Sequence, residues 1–274
     1  MIDLNLYRKN VYTNSGVRPC PGYGEDGVLS KIFESIGVSS NPTCIEFGEL
    51  RVLGSTTRSY RIENYANATY FSSSMDFRSR VLNVLDILKL SAEQKSFRSW
   101  KFFNSMPKKL EVNPDDVLIK LRISQNSQID LFVVDIDSFD YEVVSTILKG
   151  GIAPRVFVVE YNPNLPHNEN LYVKFGQDLG RAPNRKIYGA SFNVWMNLFV
   201  DSDYRLVHIS GFCNLIFVRN DVHGNFTTPN ILEEITDTKE KVMTFAERYC
   251  LPGFIPSWLN SPDLSSNELD LLRH

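Results

Sequence analysis

Three carboxylates fall within six residues, at Asp135, Asp137 and Asp140, and two further polar side chains, Glu160 and Asn162, close the next apolar run. Hard oxygen ligands from two neighbouring strand ends suit Mg2+ or Ca2+, with positions left open for water or substrate. This reading takes Asp137, Glu160 and Asn162 as metal ligands, and the ion would act as a Lewis acid on an acceptor oxygen. Without a metal, a carboxylate among Asp135, Asp137 and Asp140 serves as general base, its pKa raised by its acidic neighbours. The plainer alternative is a hydrogen-bonded turn with Asp140 opening a helix, where a negative charge meets the positive dipole end. His167 follows a few residues after Asn162 and is a candidate base or ligand. His208 falls inside a predicted strand and reads as structural.

A second group precedes these. Glu46 and Gly48 close a short apolar run, and Asp76 is the nearest carboxylate after the next one. Gly48 has no side chain to obstruct a ligand, or it permits a tight turn after the strand. An acid after the second strand holds ribose hydroxyls in dinucleotide folds, a role open to Asp76. The full G-x-G-x-x-G fingerprint of nicotinamide binding is missing. So is a G-x-S-x-G nucleophile elbow.

Positioning these residues in one place requires a particular architecture. Ile129–Ile136 (IDLFVVDI) and Arg155–Tyr161 (RVFVVEY) are continuous apolar runs, as expected of strands buried on both faces. A helix at 141–149, ending at Gly150-Gly151, separates them and makes a βαβ unit. Earlier, Val28, Leu29, Ile32, Phe33 and Ile36 recur at helical spacing up to Gly37. Strands are predicted at 44–47 and 68–71, with a weaker one at 100–103, a helix at 77–90 and a helix start at Asn113-Pro114. An amphipathic helix at 190–200 leads into strands at 204–209 and 214–219, and the short turn between these two makes them antiparallel. The expected fold is therefore α/β: a Rossmann-like, doubly wound, mostly parallel seven-stranded sheet with a C-terminal antiparallel hairpin. In such sheets ligands bind beyond the carboxyl ends of the strands, at the switch in strand order. Residues 1–24 read as an irregular lead-in, 25–224 as the domain, and 225–274, with a helical run near 231–248, as a cap, a lid or an oligomer contact. That last reading leaves a homo-oligomer open.

Composition narrows the function classes. The net charge of −3, with 29 basic against 32 acidic residues, gives no basic excess of the kind nucleic-acid binders show. No apolar run is long enough for a membrane span or a signal peptide, so the expected address is the cytoplasm. Cys20, Cys44, Cys213 and Cys250 form no C-x-x-C pair, which argues against a zinc site. Cys44 and Cys213 lie in apolar runs and are expected to be buried thiols.

Four blocks resemble the FkbM-type methyltransferases, a group of class I S-adenosylmethionine (SAM) methyltransferases. They are YGEDGVLSKIFESIG (23–37), CIEFG (44–48), IDLFVVDIDSFDYEVV with RVFVVEYNPNLP (129–144 and 155–166), and YGASFNVWMNLFVDSDYRLVHISGFCNLIFVRND (188–221). The resemblance implies a SAM-dependent O-methyltransferase acting on a hydroxyl of a small molecule, such as a sugar or polyketide-like metabolite. It implies cofactor contacts at Glu46 (to the SAM ammonium), Gly48, Gly54, Ser55, Asp76 and Asp135, and it leaves Tyr188 and Ser191 either lining the acceptor pocket or serving helix packing. The chain departs from the family at its glycine loop: Arg51 and Val52 stand where an acid and a glycine are expected, Ser55-Thr56-Thr57 only approximates S-N-T, and Ser138 replaces the glycine of D-I-D-G. These departures motivate a rival reading, a methyltransferase-fold binding or scaffold protein that has lost SAM.

Overall fold

The computed structural model describes residues 1–8, 24–48, 55–64, 66–71, 100–103, 128–177, 187–210, 213–222, 224–231 and 264–273, with backbone alone at 100–103. Seven strands among them form one sheet: β1 (Thr43–Gly48), β2 (Asn67–Phe71), β3 (Trp100–Phe103), β4 (Leu131–Asp135), β5 (Val156–Glu160), β6 (Tyr204–Ser210) and β7 (Asn214–Arg219). Their order is β3-β2-β1-β4-β5-β7-β6. The pairs from β3 to β5 are all parallel, and β7 runs antiparallel to both β5 and β6. The order reverses between β1 and β4, where a doubly wound sheet opens its crevice. This is the Rossmann-like class I methyltransferase architecture expected from the sequence.

Strand alternation divides the core between the two faces. Ile45, Phe47, Phe132, Val134, Phe157 and Val159 point to one side, where they meet α3 (Asp140–Lys149) and α4 (Phe192–Asp201) through Val143, Val144, Ile147, Trp195 and Phe199. Cys44, Leu131, Val133, Val156 and Val158 point to the other, against Val28, Leu29, Ile32 and Phe33 of α1 (Glu25–Ile36) and Tyr60 of α2 (Arg58–Asn64). Continuous apolar runs are thus explained by two covered faces. The helix at 25–36 ends at Gly37, whose φ of +71° is open to glycine and strained for other residues.

A buried ion pair anchors the sheet at the amino ends of β4 and β5. Asp130, with no exposure, accepts hydrogen bonds from Arg155 Nη1 (2.9 Å), Ser39 Oγ (2.6 Å), Ser39 N (3.2 Å) and Thr43 N (3.1 Å). The Arg155 guanidinium also donates to the Ile36 and Gly37 carbonyls (2.8 and 2.7 Å). It thereby satisfies the carbonyls that the end of α1 leaves without partners.

The ends of the chain pack against this body. Leu4, in a 3-10 turn (Leu4–Tyr7), is buried beside α1, and Ile2 bridges Phe226. Leu272, after the short helix α5 (Ser266–Asp270), is buried with Leu165, Leu171 and Val173. The predicted helices at 77–90 and from Asn113, the helical run at 232–248, and Arg51, Cys20 and Cys250 lie outside the described residues. Among the described residues no helix is long and apolar enough to cross a membrane. Cys44 and Cys213 are buried free thiols.

Candidate functional site

Register alone brings two of the carboxylates together. Val134 pairs with Val159, so the next rung sets Asp135 beside Glu160 on the α1 side of the sheet. Parallel neighbours lie about 4.8 Å apart, and side chains on one rung and one face must touch. Asp137 joins them differently from what alternation predicts. β4 ends at Asp135, and Asp137 turns through the left-handed region at φ +53°, a conformation aspartate tolerates better than most residues. One oxygen from each of Asp135, Asp137 and Glu160 lies within 4.8 Å of the other two.

The cluster is electrostatically loaded. Asp135 is exposed at the carboxyl end of β4. Loss of hydration, then the charges of Asp137 and Asp140, push its carboxyl up to about 8. Burial, then Asp135 and Asp137, raises Glu160 well above the usual carboxylate range. Glu160 Oε2 is sealed from solvent with no hydrogen-bond partner. Its backbone is fixed by Trp195 Nε1, which donates to the Glu160 carbonyl (2.9 Å), and by pairing with Asn214.

Other residues singled out from sequence take different positions. Asp140 is fully buried and clamps the turn, accepting from the Ile136 and Ser138 N–H groups at 2.9 Å each. Burial first, against these bonds, raises it to about 6. This is the hydrogen-bonded turn of the plainer reading, with both Asp140 oxygens taken by backbone N–H groups. Asn162 is also fully buried. Its amide donates to the Tyr188 carbonyl (3.0 Å), and its oxygen accepts from Asn164 N and Nδ2 (2.9 and 3.0 Å). It therefore serves as a loop bracket and is not part of the three-carboxylate set. His167 stands exposed on a turn beyond it, and His208 is buried in β6.

Glu46 and Ser55 meet, but in each other's service. The buried Glu46 carboxylate accepts from Ser55 Oγ (2.6 Å), Thr56 N (3.0 Å), Thr57 Oγ1 (2.5 Å) and Thr57 N (3.4 Å). It holds the turn that starts α2, supplying from a distant strand the acceptor that a local cap would otherwise provide. Gly48 pairs with Asp135, and a Cβ there would lie 2.8 Å from the Asp135 carbonyl oxygen. Its glycine is required by the approach of β1 to β4. Gly54 and Asp76 lie outside the described residues.

Two neighbours, Cys213 and Glu25, escaped the sequence reading of the site, while Tyr188 was among its candidates. Cys213 packs beside Glu160, and burial, then the Glu160 charge, raises its thiol well above the usual value. Glu25 of α1 accepts from Asn214 Nδ2 (3.0 Å) and is raised by burial. Tyr188 faces the same charges, its hydroxyl raised by burial and then by Glu160. The β5–β7 pairing that brings the first two here is invisible in sequence spacing.

No protein-family model matches the chain, and no curated protein matches it. Solved structures similar to it include spermidine synthase from Thermotoga maritima, at 12% identity and a TM-score of 0.36, over 87% of this chain and 71% of that one. The cyclopropane synthase MmaA2 from Mycobacterium tuberculosis is similar at 11% identity and a TM-score of 0.36, over 75% and 71%. The StiE O-MT is similar at 9% identity and a TM-score of 0.36, over 89% and 76%. The fold assignment stands on the strand order.

Proposed function

We propose that this protein is a SAM-dependent O-methyltransferase acting in the cytoplasm on a hydroxyl of a small molecule, a sugar or polyketide-like metabolite, and not on nucleic acid or at a membrane. The observation that carries this reading is the convergence of Asp135, Asp137 and Glu160 at the carboxyl ends of β4 and β5, beside the β1/β4 switch point. An acidic crevice suits a cationic sulfonium and ammonium. SAM, when bound, supplies the methyl group. The residues of this chain hold and orient the acceptor, whose near-attack placement contributes most of the acceleration. Asp135, raised toward neutral pH, takes the hydroxyl proton, a match of basicity to task that general-base catalysis requires. A divalent ion such as Mg2+ at the same carboxylates would supply the acidity by polarising the hydroxyl instead. The 225–274 extension is then a cap, a lid or a contact between copies.

One observation favours the rival reading of a scaffold that has lost SAM. The Glu46 carboxylate is already occupied by four hydrogen bonds from Ser55, Thr56 and Thr57, leaving it poorly placed to receive an ammonium. Calorimetry with SAM and with S-adenosylhomocysteine separates the two readings. Methyl transfer requires binding of both in the micromolar range, weakened by Asp135→Asn. Silence toward both would favour the scaffold.

A further inference from the structure

We infer that the groove between α3 and α4 binds a neutral saccharide, with an apolar floor for the face of a pyranose ring and a rim of asparagine amides for its hydroxyls. The groove shares no lining residue with the carboxylate crevice, and the inference stands apart from methyl transfer.

The groove has the size of a ligand site. Its volume is about 680 Å3, inside the range of about 300–1,000 Å3 usual for small-molecule pockets. Its floor is apolar. Tyr141, Leu148, Tyr172 and Leu198 pack against the core on one side and line the groove on the other, so each is only half-buried. The two tyrosine rings lie 4.3 Å apart, tilted by 40°. Together they make a stiff aromatic surface that carries hydroxyl handles.

The rim is preorganised. Asn170 Oδ1 accepts from Asn193 Nδ2 (2.9 Å) and Asn197 Nδ2 (3.0 Å). Asn193 and Asn197 are one helical turn apart on α4, so a single oxygen from the facing loop pins both amides. With that oxygen engaged, Asn170 offers a ligand its N–H groups, while Asn197 offers its carbonyl. A fixed donor beside a fixed acceptor matches neighbouring hydroxyls, each of which can both give and take a hydrogen bond.

The lining also selects against other occupants. Lys149 and Asp201 supply one charge of each sign, so neither anions nor cations are favoured. Along α4, Asn197 and Asp201 interrupt Val194 and Leu198, which breaks the unbroken apolar stripe that a docked amphipathic helix needs. Apolar and polar groups alternating within the width of one ring suit a sugar.

The test is NMR on the full chain, free of SAM. Methyl α-D-glucopyranoside, methyl α-D-mannopyranoside, methyl β-D-galactopyranoside and cellobiose are titrated in turn, with cyclohexanol as a ring of like size bearing one hydroxyl. At least one sugar should receive saturation from the protein and shift the side-chain amide signals of Asn170 and Asn197. Asn170→Ala and Asn197→Ala, both at exposed positions, should each weaken its binding about three- to tenfold, the loss of a neutral hydrogen bond. Asn225→Ala, exposed outside this groove, should leave binding unchanged. Cyclohexanol should bind more weakly than the best sugar, since a site built for hydroxyls rejects a ring without them. Silence toward all four sugars, cyclohexanol binding as tight as the best of them, or sugar binding undiminished in both the Asn170 and Asn197 variants would overturn the site.

Discussion

Replacing Gly48 by alanine should destabilise the protein, and the sign of the effect is informative. In a strand interior, alanine is normally favoured over glycine by about 0.5–1 kcal/mol, because glycine loses more freedom on folding. At Gly48 the added Cβ would lie 2.8 Å from the Asp135 carbonyl oxygen. That atom is backbone of the paired strand β4 and cannot swing aside as a flexible side chain would. Relief demands separation of β1 and β4 at their carboxyl ends, and overpacking of this kind costs about 1–3 kcal/mol. The net expectation is a loss of about 1–2 kcal/mol, or roughly 2–4 °C in melting temperature for each kcal/mol in a domain of this size. Urea unfolding followed by circular dichroism measures it. A Gly48→Ala variant as stable as the parent, or more stable, would refute the close approach of β1 to β4 and with it the placement of Asp135.

Further expectations concern the buried groups that shape the fold. Arg155→Ala should cost about 3–5 kcal/mol in unfolding free energy, the cost of leaving a buried partner uncompensated, since it strands Asp130 and the carbonyls of Ile36 and Gly37; a loss below 1 kcal/mol would contradict the network. Asp140→Asn replaces one acceptor oxygen of the turn by an amide facing an N–H group; it should cost about 1–3 kcal/mol in urea unfolding, and unchanged stability would show that the turn does not depend on the Asp140 carboxylate. His208 is buried in β6 with Nε2 unsatisfied, and burial, then the Arg8 charge, lowers its pKa to about 3. The unfolded chain therefore binds this proton first as pH falls: the stability is fully present above about 6.5 and is lost between there and about 3, at up to about 1.4 kcal/mol per pH unit. His208→Leu should flatten that slope in urea titrations at pH 7.5, 6 and 5, and an unaltered slope would place the acid sensitivity elsewhere.

Most of the sheet was legible because a strand covered on both faces has no choice but to be apolar. IDLFVVDI and RVFVVEY could be little else, and β1, β2, β3, β6 and β7 fall within a residue of their expected limits. Legibility failed where structure depends on distant partners. Helix α2 was missed because its seven residues, RSYRIEN, show no amphipathic period, and its start is held by Glu46 from another strand. The Ser265–Glu268 capping box of α5 was present as S-x-x-E but went unread beside so short a helix. The site was half legible. That Asp135, Asp137 and Glu160 converge follows from strand ends, whereas the internal commitments of Asp140, Asn162 and Glu46 depend on backbone N–H groups that no spacing reveals.

The account stands on the crevice at the carboxyl ends of β1, β4 and β5 being where ligand binds. Hydrogen–deuterium exchange with and without S-adenosylhomocysteine addresses it directly. Slower exchange is predicted in peptides spanning 43–48, 131–138 and 156–162. No protection, or protection confined to segments remote from these strand ends, would contradict the account.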